Sequence, residues 1–294
     1  MRESSTSSGN IRDWLQRAEA HLVSNGVPNA RRNAEWMLCY SMGCNMLDVY
    51  VKSGDTLDAG VAARYWEIVE RRAGREPLQY ILEGTEFMSL PFSVRPGVFV
   101  PRPETELLVE LAESQLRSRP LHESISVADL CCGSGIIGIS LAVRVPNLDV
   151  TAVDSSPLAA GVTAANAHRN AVAARVRAVE IDACEFLAAG STRFSGIVCN
   201  PPYIATSELA ALPREVREHE PVAALDGGAD GLDFYRRCIP LLARRLQPEG
   251  FVMFEIGHTQ ARAVSELLRK TGFGSVDVAK DLAGHDRVVT ATTA

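Results

Sequence analysis

The chemistry of this chain concentrates in four consecutive residues, Asn200-Pro201-Pro202-Tyr203, which follow the apolar run Gly196-Ile197-Val198-Cys199. The run reads as a buried strand, and the four residues as the rigid loop that ends it. Two prolines fix φ near −65° and remove two backbone donors, so the carbonyls there have no ladder to join. The Asn200 side chain adds one acceptor and two donors. Such a loop grips a planar group that carries an NH2 by accepting its hydrogens. A plain proline-rich turn would contain the same Pro-Pro pair, so the rest of the chain has to decide between the two.

A second constellation lies upstream. Val127-Ala128-Asp129-Leu130-Cys131-Cys132-Gly133-Ser134-Gly135-Ile136-Ile137-Gly138 reads as strand, glycine-rich turn and helix. Glycines let a ligand approach the backbone, and a helix N-terminus offers unsatisfied N–H groups. Asp154 ends the next apolar run roughly 20 residues on, where a carboxylate accepts ribose hydroxyl hydrogens. Two ligands fit this spacing. Gly133, Gly135 and Gly138 satisfy the dinucleotide fingerprint, which points to NAD. Asp129, just before the turn, would repel a pyrophosphate and suits the ammonium and sulfonium groups of S-adenosylmethionine (AdoMet). The loop alone does not choose. Asp182 and Ala183, after the third strand, could meet an adenine edge, and a solvated turn aspartate reads equally well there. Cys131-Cys132 could be a vicinal redox pair or small apolar filling of the turn.

The surrounding elements must place both constellations in one site. With 294 residues, 46% hydrophobic and 22% charged, the chain suits one large and one small globular domain. No apolar run approaches the ~18 residues of a membrane span. Residues 1–10 are polar and Ser-rich and read as a disordered lead-in rather than a secretory signal. The seven cysteines, Cys39, Cys44, Cys131, Cys132, Cys184, Cys199 and Cys238, form no CxxC pair, so neither a disulfide framework nor a zinc site is expected. That usage suits a reducing cytoplasm. Net charge is −6 with no long Lys/Arg cluster, which argues against a nucleic-acid partner.

Residues 11–85 read as helical. Ile11, Trp14, Leu15, Ala18 and Leu22 share one helical face, a second helix runs through Ala34, Met37, Leu38 and Met42, and a third through Val61, Tyr65, Ile68 and Val69. Residues 86–98 alternate around a turn and read as a β-hairpin linker. From residue 99 a βα rhythm follows. Strands are expected at Ser126–Leu130, Asp149–Val153, Val176–Ile181, Gly196–Cys199 and Phe251–Glu255, with a helix over Pro157–Asn170 and final strands at Gly274–Lys280 and Arg287–Thr293. This is an α/β pattern, a mostly parallel sheet with helices on both faces.

With these elements in place the chain resembles the bacterial release factor glutamine methyltransferases, the HemK/PrmC family. The resemblance covers nearly everything after residue 10. It rests on Glu76-Pro77-Leu78-Gln79-Tyr80-Ile81, Phe99-Val100-Pro101-Arg102-Pro103-Glu104-Thr105-Glu106, the Gly133 loop, Asn200-Pro201-Pro202-Tyr203-Ile204 and Glu220-Pro221-Val222-Ala223-Ala224-Leu225-Asp226-Gly227-Gly228.

The resemblance implies a class I AdoMet-dependent methyltransferase, a Rossmann-like seven-stranded sheet over residues 99–294, behind a helical domain that docks the substrate. The implied partner is a class I peptide chain release factor, methylated on the glutamine amide of its Gly-Gly-Gln motif. Separately from the resemblance, the enzyme is expected to act as a monomer. Asn200 and Pro201 would be catalytic, each accepting one amide N–H, with Pro202 and Tyr203 completing the substrate site. Cys131, Cys132, Gly133, Ser134, Gly135, Asp154, Asp182, Ala183 and Asn200 would bind AdoMet. The alternatives are another protein glutamine, on a ribosomal protein, or a nucleic-acid amino group. Cys131 departs from the family, which usually has glycine there, and a strand-like φ would let its Cβ point away from the ligand. Ala183 and Cys184 also stand where an adenine-side aromatic is common.

Overall fold

The computed structural model describes residues 9–119 and 125–293. Most of the expected lead-in, residues 1–8, lies outside the described residues. Asn10 is already structural, capping the first helix in a reciprocal box with Asp13. The chain divides into two units, residues up to Glu83 together with Arg214–His219, and Gly84–Pro213 together with Glu220 onward.

The smaller unit is helical. Helix α1 (Ile11–Ser24) buries Ile11, Trp14, Leu15, Ala18 and Leu22, the face the 3.6-residue period marks. Helix α2 (Ala30–Met42) stops at Gly43 in the left-handed conformation. The short α3 (Met46–Val51), capped by Asn45, was not evident from the sequence. Helix α4 (Ala59–Ala73) starts at the Asp58 cap, and α5 is a single turn, Leu78–Ile81. Their apolar faces close one core around Leu22, Met37, Leu38, Tyr65 and Val69.

The larger unit opens with a hairpin, β1 (Gly84–Phe87) and β2 (Leu90–Ser93). Helix α6 (Glu106–Arg117) follows a 3-10 turn at Pro103–Thr105. Then β3 (Ile125–Leu130), α7 (Ile136–Arg144), β4 (Leu148–Asp154), α8 (Pro157–Arg169), β5 (Val176–Glu180), α9 (Ala183–Ala189) and β6 (Phe194–Cys199) alternate. The chain next crosses to the helical unit for α10 (Arg214–Arg217), where Glu215 accepts from Arg72 (3.3 Å) and from Arg75 Nε (3.1 Å). It returns for α11 (Asp233–Leu242), β7 (Leu246–Glu255), α12 (Ala261–Lys270), β8 (Ser275–Lys280) and β9 (Asp286–Thr292).

The seven strands pair in the order β5-β4-β3-β6-β7-β9-β8, all parallel except β9, which runs antiparallel to both neighbours. Alternate residues feed opposite faces. Val127, Val150 and Val198 join α6, α7 and α8 in one core, and Ala128, Leu130, Val153 and Cys199 join α9, α11 and α12 in the other. Strand β6 is buried along its whole length, as a central parallel strand must be. The strand order reverses between β3 and β6, the crevice where open α/β sheets bind ligands beyond their carboxyl ends. No described helix is long and apolar enough to cross a membrane.

Candidate active site

In the crevice, β3 and β6 are in register with Leu130 opposite Cys199. The glycine-rich turn starting at Cys131 and the loop starting at Asn200 therefore leave neighbouring strands at the same level. Parallel pairing alone brings the two constellations of the sequence together.

The turn is left-handed at three places: Cys131 at φ +55°, Gly133 at +57° and Gly135 at +81°. The strand-like φ expected of Cys131 is not what the backbone adopts. β3 must turn a sharp corner to feed α7, and Cys131 makes that corner in a conformation costing a non-glycine residue about 1–2 kcal/mol. Its side chain packs against the apolar cluster that contains Cys199. At Gly133 an added Cβ would meet nothing within 4 Å, so the turn is open there. Its back is braced by α8: Thr163 Oγ1 donates to the Gly133 carbonyl (3.0 Å) and Asn166 Nδ2 to the Ser134 carbonyl (2.9 Å).

Asp129 does not face the crevice. It is fully enclosed, with Oδ2 accepting from the Gly138 N–H (2.8 Å) and Oδ1 without a partner among the described residues. Burial pushes its pKa up to about 7, the Gly138 N–H pulls it back, and Asp154 adds a further upward push. The sequence reads Asp129 as suiting a ligand cation, but the enclosed carboxyl presents no exposed oxygen for a direct contact. Asp154 stands at the end of β4, where Oδ2 accepts from Gly133 N (2.8 Å) and Oδ1 from Ser156 N (2.9 Å). Asp182 caps α9 through Cys184 N and Glu185 N, the local role the sequence left open, and Ala183 is buried beside it. Cys184 is not free. It forms a disulfide with Cys238 of α11 (Cα–Cα 5.3 Å), a pairing across 54 residues that no cysteine spacing signals.

Cys131 to Gly135 with Asp154 fit a ribose-bearing cationic ligand such as AdoMet. The turn is uncovered at Gly133, a carboxylate stands at the neighbouring strand end, and an enclosed carboxyl with an orphaned oxygen lies beneath.

Across the crevice, Asn200 is held by its amide nitrogen, Nδ2 donating to Thr105 Oγ1 (3.2 Å). Thr105 is fully buried and donates to Glu255 Oε2 (2.7 Å), while the Tyr203 hydroxyl donates to Glu255 Oε1 (3.2 Å). Burial raises the Glu255 pKa from its ordinary value. Thr105, Arg287 and Tyr203 oppose that rise, and Glu104 adds to it. Burial and Glu255 also push the Tyr203 phenol up, so it stays a donor. Asn200 Oδ1 and the Pro201 carbonyl accept no hydrogen bond among the described residues. Two neighbouring acceptors of this kind can take both hydrogens of one NH2 group.

The loop is fixed from behind. Gln260 Nε2 donates to the Tyr203 carbonyl (2.8 Å), and Ile204 exchanges backbone bonds with Leu225 (3.0 Å) and Gly227 (2.8 Å). A Cβ on Gly227 would come 2.9 Å from the Pro202 carbonyl, which explains the glycine. Glu220 accepts from Arg102 (2.5 Å) and Val100 N (3.2 Å), anchoring the segment that carries Thr105. Thr105, Glu255 and Gln260 were missed as site residues. A lone carboxylate closing the apolar run Phe251–Glu255 was the available signal.

Comparison with known proteins matches residues 13–82 to the PrmC N-terminal domain and residues 90–216 to the methyltransferase small domain. The chain is 44% identical over 279 residues to the release factor glutamine methyltransferase of Geobacter sulfurreducens, covering 95% of each chain. It is 40% identical to that of Moorella thermoacetica, covering 94% of this chain and 96% of the other. Among solved structures, the catalytic domain of hMettl16 in complex with a 3′UTR hairpin matches at a TM-score of 0.56 and 15% identity, over 70% of this chain and 76% of that one. That likeness is one of fold. Sequence and architecture together place the chain in the family of release factor glutamine methyltransferases, AdoMet-dependent enzymes of the class I fold.

Proposed function

We propose that the protein transfers the methyl group of AdoMet to the side-chain amide nitrogen of the glutamine in the Gly-Gly-Gln motif of a class I release factor. One observation carries this reading: two unengaged acceptors, Asn200 Oδ1 and the Pro201 carbonyl, leave β6 level with the open glycine turn that leaves β3.

A carboxamide nitrogen is a poor nucleophile because its lone pair is delocalised into the carbonyl. When bound, AdoMet supplies an electrophilic methyl on a sulfonium. Asn200 Oδ1 and the Pro201 carbonyl each accept one amide hydrogen and turn the nitrogen lone pair toward that methyl. Partial positive charge grows on the nitrogen as the N–C bond forms and the methyl's S–C bond breaks, and the two acceptors stabilise it. The neutral thioether S-adenosylhomocysteine is the leaving group, and the N-methylated amide sheds its extra proton to water. Orientation alone is worth roughly 7–11 kcal/mol in well-aligned systems, so no strong base is required. The Pro201-Pro202 pair keeps the carbonyls rigid, and the Tyr203 ring packs beside the substrate with its hydroxyl held by Glu255. Cys131, Cys132, Gly133, Ser134, Gly135 and Asp154 would hold AdoMet, with Asp182 and Ala183 at its adenine edge.

The helical unit is the docking module for the release factor, and the enzyme acts as a monomer in the cytoplasm, where release factors meet ribosomes. An acidic chain has no need of nucleic acid for this reaction. The test offers methyl-labelled AdoMet with, separately, a class I release factor, a ribosomal protein and DNA, and locates the label by mass spectrometry. Label on the Gly-Gly-Gln glutamine is expected. Label only on the ribosomal protein or on DNA would overturn the assignment.

A further inference from the structure

We propose that Thr105 is a positioning residue whose hydroxyl, polarised by Glu255, sets the orientation of the Asn200 amide and so decides which of its two ends meets the substrate. The inference rests on the reading that Asn200 Oδ1 receives a substrate N–H.

An asparagine amide has two nearly isosteric ends of opposite polarity. Turned one way, Asn200 offers an acceptor to a substrate NH2; turned the other way, it offers a donor and repels it. Nothing in the Asn-Pro-Pro-Tyr loop itself chooses, so the choice comes from what the buried end touches. That is Thr105 Oγ1, at 3.2 Å from Nδ2. A threonine hydroxyl has one hydrogen, and here it goes to Glu255 Oε2 at 2.7 Å. A carboxylate is acceptor only, and the other oxygen of this one is already engaged by the Tyr203 hydroxyl. With its hydrogen committed, Thr105 presents only lone pairs to Asn200, which must answer with Nδ2. Oδ1 is thereby directed away from Thr105. A flipped amide would set two lone-pair oxygens 3.2 Å apart, one of them on a residue with no exposure to water that could relieve the contact. Helix α11 locks the hub from the far side, since the Tyr235 hydroxyl donates to the Glu255 backbone carbonyl (2.7 Å). Polarity thus passes from Glu255 to Thr105 to Asn200, three elements brought together only in the folded chain.

The full-length protein is labelled with 15N-asparagine, and the Asn200 side-chain NH2 pair is assigned by its loss in Asn200→Ala. In Thr105→Val, which removes the hydroxyl at nearly constant volume, the pair is expected to move to the position of a solvent-bonded amide. The kcat for release factor methylation should fall about 10- to 100-fold, the scale of a misplaced reacting group, while AdoMet affinity stays close to wild type. The melting temperature drops because Glu255 Oε2 loses its buried partner. Thr105→Ser, which restores a hydroxyl, should recover the resonance and most of kcat. If Thr105→Val does not fold, Thr105→Cys supplies the same test with a poorly accepting thiol. An NH2 pair unmoved in Thr105→Val, or AdoMet affinity falling in step with kcat, would overturn the inference. Because the resonance is read without turnover, it decides the point even if wild-type protein leaves the release factor unmethylated, which would instead refute the proposed function.

Discussion

Asp154 engages two backbone N–H groups, those of Gly133 and Ser156. A carboxylate has about four acceptor positions, so capacity remains for the hydroxyls of a ribose. Asp154→Ala is expected to weaken AdoMet binding by ~1.5–3 kcal/mol, the worth of a charged hydrogen bond. Calorimetry checks this, and unchanged affinity would place the ribose contact elsewhere. Asn200 and Pro201 stand out in the sequence because the chemistry proposed for them is local, an amide beside a donor-free backbone after a buried run. Asp129 was misread because its role depends on direction. Strand alternation sends it, like Val127, to the α7 face, where it meets Gly138 instead of the strand-end opening. Cys131 was misread for a related reason, since the corner between β3 and α7 sets its φ and the residue type does not.

Among the elements, the loop after β6 is held in place by the segment Leu225–Gly228, which pairs with Ile204 and passes under Pro202. In Gly227→Ala the new Cβ would sit 2.9 Å from the Pro202 carbonyl and from Gly231, all backbone atoms that cannot swing aside. Overpacking of this kind costs about 1–3 kcal/mol, and here the loop that carries Asn200 must absorb it. A kcat reduced about tenfold or more with near-normal AdoMet binding is expected from steady-state kinetics and calorimetry. A fully active variant would show that the loop tolerates displacement. The strands were legible to within a few residues for most elements because apolar runs in a parallel sheet carry their own boundaries. β7 was the exception, starting at Leu246, five residues ahead of the apolar run from Phe251. Helix α3 was not legible, being six residues long with a single buried side chain, too short to show a period.

For the whole molecule, the segment Arg214–His219 belongs to the helical unit although the chain on either side belongs to the sheet. Its anchor is Glu215, paired with Arg72 and Arg75, of which Arg72 is almost wholly buried. No sequence pattern announces an excursion of this kind, because the pairing spans about 140 residues. The Glu215 pKa lies below the ordinary carboxylate value, through Arg75, Arg72 and a backbone N–H working against burial. A depressed pKa means stability that is present above the unfolded value, near 4.3, and is lost as pH falls through the lower folded value. Glu215→Ala should lower the melting temperature at pH 7 by the equivalent of about 2 kcal/mol, under the 3–5 kcal/mol of a fully enclosed pair. The gap to wild type should close as pH drops below about 4. Equal melting at neutral pH would show that the pair contributes nothing.

In the proposed mechanism an amide clamp, and not a base, carries methyl transfer. Single-turnover methylation of a class I release factor by Asn200→Ala, with AdoMet affinity measured on the same preparation, tests it most directly. A rate lower by about 10²-fold or more is expected, the loss seen when one preorganised hydrogen-bonding partner of a developing charge is removed, with AdoMet affinity within a few-fold of wild type. A near-normal rate in that variant would contradict it.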